Sequence, residues 1–157
     1  MTDRTYAGGR SESASGRRRL ADAGTAAPAP GPEHAVTVLV VDDSPVFRRG
    51  MARAVQSHAG LELVGEADSG AAALDAIARL APDIVLMDLR MPDLDGLAVL
   101  ERLRETEPRS SCRVLIVSAS LDEEIERVAA QAGAAGCIGK ELSRADICAA
   151  ALRVARG

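Results

Sequence analysis

The chain predicts an α/β fold on a parallel sheet, and three observations carry that expectation. Uniformly apolar runs, Val38-Leu39-Val40-Val41, Ile84-Val85-Leu86-Met87 and Val114-Leu115-Ile116-Val117, alternate with longer stretches of helical periodicity. Each run ends abruptly in polar residues: Asp42-Asp43, Asp88 and Ser118, with Lys140 closing a fourth, shorter run at Cys137-Ile138-Gly139. Hydrophobic residues make up 47% of the 157 and aromatics only 1%, so the core has to be built from Leu, Val, Ile and Ala.

The elements follow in order. Residues 36–42 form a buried strand. Ser44-Pro45 opens a helix, Ser as N-cap and Pro at the first helical position, turning Val46, Phe47, Met51, Ala54 and Val55 inward until it stops near Gly60. Residues 61–67 alternate only partly, which suits an edge strand. An Ala-rich helix spans 69–80 and stops before Pro82; residues 83–87 are the next strand. The helix over 94–105 places Leu97, Leu100 and Leu103 on one stripe and ends before Pro108. A strand at 113–117 follows. Ser120-Leu121-Asp122-Glu123 reads as a capping box for a helix to Gln131, stopped by Gly133. A short strand at 136–139 precedes a last helix capped by Ser143. Five strands and five helices in strict alternation, joined by right-handed crossovers, predict a doubly wound (βα)5 sheet of order 2-1-3-4-5. Residues 1–34, rich in Gly, Ser, Ala, Pro and Arg, read as a disordered tail before a single domain over 35–157. Arg17-Arg18-Arg19 within it reads as a solvated stretch, since three charges without aromatics make a weak footprint for phosphate or membrane.

Bulk properties exclude several classes. A net charge of −4 offers no general attraction to nucleic acid or anionic membrane, and no apolar stretch approaches a spanning helix. The N-terminus lacks the apolar core of a signal peptide. Cys112, Cys137 and Cys148 have no metal-ligand spacing and read as reduced thiols of a cytoplasmic protein.

Parallel strands in this order bring Asp42, Asp43 and Asp88 to the carboxyl edge beside the topological switch point. Carboxylates so close repel by about 4 kcal/mol per pair at 4 Å and an effective dielectric near 20, and a divalent cation resolves the conflict. Mg²⁺ takes one or two carboxylates and phosphate oxygens while keeping several waters. Asp43 and Asp88 are the expected direct ligands, with the Arg90 backbone carbonyl close enough to join and Asp42 holding a metal-bound water. A carboxylate can act as a nucleophile towards phosphorus, and phosphoryl transfer depends on positioning and charge neutralisation more than on acid–base work. Lys140 and Ser118 would meet phosphate oxygens, and the small Ala119 leaves room for a donor.

From Val36 onward the chain resembles a response-regulator receiver domain, the chemotaxis-type, flavodoxin-like fold of two-component signalling. The resemblance rests on Val41-Asp42-Asp43, Met87-Asp88, Met91-Pro92-Asp93-Leu94-Asp95-Gly96, Ser118-Ala119 and Gly139-Lys140, in the family's order. The stretch from Asp42 to Gly50 is similar to the receiver half of LuxR-type regulators. The resemblance implies that Asp88 accepts phosphate, with Mg²⁺, from a sensor histidine kinase or phosphotransfer protein. It also implies a downstream protein meeting the face of the fourth helix, fifth strand and fifth helix; a homodimer stays open. The family usually carries an aromatic switch residue three positions before the lysine. Here that position is Cys137, so the aromatic partner of the Ser118 switch is missing. The chain stops after its fifth helix, so a stand-alone signalling module is expected rather than a DNA-binding regulator. Outside the tail it holds 14 basic and 19 acidic residues, five arginines and four acids being in the tail.

Three other readings stand beside this one. A phosphorylation-independent pseudo-receiver is favoured by Cys137 and opposed by the acidic cluster and Lys140. A LuxR-type regulator that has lost its DNA-binding part shares the same receiver. An aspartate-nucleophile hydrolase needs a second Asp two residues after the nucleophile, and that position is Arg90, so no enzyme acting on outside substrates is expected beyond self-phosphotransfer and autodephosphorylation.

Overall fold

The computed structural model describes residues 34–106 and 111–157; the tail expectation, Arg17-Arg18-Arg19 and Pro108 lie outside them. Five strands, β1 (Val36–Val41), β2 (Leu61–Ala67), β3 (Ile84–Met87), β4 (Arg113–Ser118) and β5 (Gly136–Gly139), alternate with five helices. These are α1 (Pro45–Ser57), α2 (Gly70–Leu80), α3 (Gly96–Thr106), α4 (Glu123–Ala132) and α5 (Arg144–Arg156). All pairings are parallel and the order is β2-β1-β3-β4-β5, as the alternation predicts.

The central strands are apolar along their whole length because helices cover both faces. One layer packs α2, α3 and α4 against Leu39, Val41, Val85, Met87, Val114 and Ile116. The other packs α1 and α5 against Val38, Val40, Ile84, Leu86, Leu115 and Val117. The faces divide by residue parity, the period-2 alternation of a strand. The edge strand β2 is only half buried, and its register slips at Val38/Leu39, where Val38 pairs with Leu63 and Leu39 with Gly65.

Caps set the helix ends. Ser44 accepts the Phe47 N–H with Pro45 at the head of α1, Ser69 accepts the Ala72 N–H, and Ser143 accepts the Asp146 N–H. Gly133, at φ 109°, closes α4 in the left-handed conformation. Ala81 does the same for α2 at φ 47°; it precedes Pro82, whose ring disfavours a continuing helix.

Three local expectations are corrected. Val46 is 80% exposed: it lies five residues before Met51, about 140° around α1 from the buried stripe of Met51, Ala52 and Val55. The N-cap of α4 is Asp122, whose side chain takes the Ile125 N–H at 2.8 Å, because Ser120 is engaged through its backbone with the Ser118 hydroxyl. Helix α3 starts at Gly96 rather than 94, because the Gly96 N–H is drawn to Leu89 O at 2.8 Å and Asp95 caps the helix through Ala98 N–H at 2.9 Å.

Candidate functional site

Each polar residue ending an apolar run sits at the end of its strand or one ladder step beyond it. Asp42 N–H bonds Ala67 O at 3.1 Å, Asp88 N–H bonds Val41 O at 2.9 Å, and Lys140 N–H bonds Ser118 O at 2.8 Å. Parallel pairing therefore carries Asp42, Asp88, Ser118 and Lys140 to one edge of the sheet from four different strands. Among the described residues the buried polar or charged side chains are Asp42, Asp88 and Ser118, and all three lie at that edge. Buried polar groups are costly without partners, so their gathering in one place marks a site rather than a core defect.

The carboxylates of Asp42, Asp43 and Asp88 each place an oxygen within 4.8 Å of the others; Asp42 and Asp88 are buried and Asp43 is exposed. The Lys140 ammonium enters the cluster, 2.7 Å from Asp42 Oδ2 and 3.5 Å from Asp88 Oδ2. Asp42 Oδ1 accepts the Ser44 N–H at 2.8 Å, and Asp88 Oδ1 accepts the Arg90 N–H at 3.4 Å. Burial and the neighbouring Asp42 charge hold the Asp88 carboxyl above its ordinary value of 3.8; Lys140 and the Arg90 N–H only partly oppose them.

Three carboxylates against one ammonium leave two uncompensated negative charges in the cluster. All the donors are hard oxygens and one side of the cluster is exposed, so a divalent cation of the Mg²⁺ type fits both the charge and the chemistry.

The other predicted residues are placed as follows. The Ser118 hydroxyl donates to Ser120 O and accepts from Ser120 N–H, both at 3.2 Å, so it is engaged with its own loop. Arg90 is exposed, two residues beyond Asp88. Cys137 lies mid-strand in β5 opposite Ile116, partly buried against the α2–α3–α4 layer. Burial, with the Glu126 charge behind it, raises its thiol pKa.

Sequence reasoning missed four supports of this edge. Arg48 clamps the β1 end, donating to Asp42 O at 2.9 Å and pairing with Glu66 at 3.3 Å. Asp93 accepts the Gly70 and Ala71 N–H groups, both at 3.1 Å, and caps α2 from another loop. A Cβ on Gly96 would stand 2.8 Å from Asp88 O, so glycine is required where this loop passes beneath Asp88. Phe47 presents its ring to Lys140, with the ammonium 4.5 Å from the centroid. The Met91–Gly96 motif was visible as a motif, but the partners of Asp93 are remote in sequence; Phe47 looks like an ordinary core residue.

The family model described as the response regulator receiver domain matches residues 38–152. The chain belongs to the response regulator receiver family. The receiver is 44% identical over 128 residues to the "Probable transcriptional regulatory protein NarL" of Mycobacterium tuberculosis, covering 82% of this chain and 58% of that protein. It is 34% identical over 121 residues to the nitrate/nitrite response regulator protein NarL of Escherichia coli K12, covering 77% and 55%. The chain thus spans little more than half the length of these relatives. Among solved structures, the signal receiver domain of the M. tuberculosis NarL matches with TM-score 0.75 at 43% identity, covering 79% of this chain and 98% of that one. Receiver domains are the phosphorylation-linked modules of two-component systems and bind Mg²⁺ through acidic residues; as a class they accept phosphate rather than turn over outside substrates. No helix among the described residues is long and apolar enough to cross a membrane.

Proposed function

We propose that this receiver takes a phosphoryl group on Asp88 from the phosphohistidine of a sensor kinase or phosphotransfer protein. It then signals in the cytoplasm by changed protein–protein contact. The convergence of Asp42, Asp43, Asp88 and Lys140 at one sheet edge is the observation that carries this reading.

An Asp88 carboxylate oxygen attacks phosphorus, the donor's P–N bond breaks as the new P–O bond forms, and the imidazole nitrogen keeps the bonding pair. Asp43, Asp88 and the Arg90 carbonyl would hold Mg²⁺, with Asp42 steadying one of its waters. Bound there, the ion would supply positive charge to offset the carboxylates and phosphate oxygens. Lys140 neutralises a phosphoryl oxygen, and its position between Asp42 and Asp88 keeps it within reach. Ser118 trades its bonds to Ser120 for a bond to the phosphoryl group. The α4–β5–α5 surface then meets a downstream protein differently. The chain works as a switched module rather than as a hydrolase.

Incubation with a small-molecule phosphoryl donor and Mg²⁺ labels the wild type and not Asp88→Asn; equal labelling of the two overturns the assignment. Cys137 favours a second reading, a phosphate-independent binding module, because a thiol there offers no ring to turn inward. Mg²⁺ titration separates them: the phosphoacceptor shows metal-dependent shifts at Asp43 and Asp88.

A further inference from the structure

We infer that Phe47 is the positioning residue for Lys140 and couples it to the head of α5. The chain has a single Phe, and it sits in the first turn of α1 beside the acidic cluster. Its ring carries two cations: the Lys140 ammonium at 4.5 Å and the Arg144 guanidinium carbon at 5.5 Å from the centroid. Arg144 is the first residue of α5 and lies in a notch on α1. A Cβ on Gly50 would stand 2.5 Å from Arg144 Nε, so the guanidinium occupies the space beside a bare glycine. Phe47 and Gly50 are three apart on one helix and share a face. One turn of α1 therefore holds both the lysine that ends β5 and the arginine that begins α5.

The physical role follows from the lysine's chain. Four rotatable bonds let a Lys side chain scatter its charge widely, and attraction to carboxylates restrains the tip only where the stem is already directed. The electron-rich ring face, 4.5 Å from the ammonium, attracts it and adds a second restraint to its pairing with Asp42. Two cations on one ring also repel each other. When phosphate on Asp88 draws Lys140 inward, the ring is left to Arg144 alone, and α5 registers the change through α1. Cys137 offers no aromatic route from β5, whereas Phe47 does from the opposite layer.

This inference rests on the phosphoacceptor reading of Asp88. The test measures the labelling rate by a small phosphoryl donor in Mg²⁺ for wild type, Phe47→Leu, Phe47→Tyr, Lys140→Met and the Phe47→Leu/Lys140→Met double variant. Phe47→Leu keeps apolar bulk but removes the ring face, and is expected to slow labelling about threefold to tenfold, the range of one cation–π contact. Phe47→Tyr restores the rate. In the Lys140→Met background Phe47→Leu has no further effect, which a merely structural loss does not reproduce. Ring-¹³C phenylalanine gives a single residue's signals, which move on addition of a beryllofluoride phosphoryl mimic in wild type and stay still in Lys140→Met. Wild-type labelling with an unslowed Phe47→Leu, or a Phe47→Leu loss that persists without Lys140, overturns this inference alone. An unlabelled wild type overturns the phosphoacceptor reading and this inference with it.

Discussion

Asp93 caps a helix that begins 23 residues before it: its Oδ1 accepts the Gly70 N–H at 3.1 Å, while Oδ2 takes the Ala71 N–H. These hydrogen bonds favour the ionised form and hold the Asp93 carboxyl below its ordinary value of 3.8. A depressed folded value means that its stabilisation is complete above 3.8 and disappears as pH falls through the folded value. Asp93→Ala is expected to lower the thermal midpoint at neutral pH and to match wild type in strong acid. Paired melts across pH 2 to 7 check this.

Glycine at two positions admits this loop. A Cβ on Gly70 would stand 2.2 Å from Leu94 O, and one on Gly96 2.8 Å from Asp88 O. Both obstacles are backbone atoms, so relief requires the loop to move. Gly70→Ala and Gly96→Ala are each expected to destabilise by about 2 kcal/mol in urea unfolding. Gly96→Ala should also weaken metal binding because it displaces Asp88; Gly70→Ala should do so less.

Asp88 is expected to work against stability. Its folded value is raised by burial and by Asp42, so the native state holds its proton longer than the unfolded chain. Stability therefore falls as pH rises from 3.8 through the raised folded value. Asp88→Asn is expected to be more stable than wild type by about 1 kcal/mol at pH 7 without metal. Added Mg²⁺ should narrow the gap by binding the folded wild type. Chemical denaturation with and without the ion measures both effects.

Lys140 is the counter-case. Its ammonium pairs with Asp42, which is 2% exposed, at 2.7 Å. Removing one member of a buried pair leaves the other uncompensated, so Lys140→Ala is expected to cost about 2 kcal/mol. The same change removes a cation from the cluster and is expected to tighten Mg²⁺ binding, measured by calorimetry.

The thiols should be sluggish. Burial and the Asp83 charge push the Cys112 thiol up to about 11, and burial raises Cys137 and Cys148. Reaction follows the thiolate fraction. All three are expected to react with a disulfide reagent at pH 7 more slowly than in the urea-unfolded chain.

Much of the site was legible because its signals are local. A buried strand has to be apolar along its length, so an aspartate at its tip is conspicuous, and Asp42, Asp88, Ser118 and Lys140 all stand out in this way. Caps such as Ser44 and Ser143 bond three residues ahead and were equally readable. Val46 and Ser120 misled for the same reason: apolar character does not state the angle around a helix, and a capping-box pattern does not reveal that Ser120 already serves Ser118.

By itself the sequence determined the alternation of strands and helices, their order in the sheet and the polar residues at the sheet edge. Those follow from hydrophobic period, right-handed crossovers and short-range capping. The tertiary structure decided which groups meet once the chain is closed. Asp93 serves a helix from a separate loop, Arg48 reaches back to Asp42, and Lys140 meets both Asp42 and the Phe47 ring. Such partners are set by the packing of remote segments, and no residue in the linear chain carries a mark of the neighbour it will find.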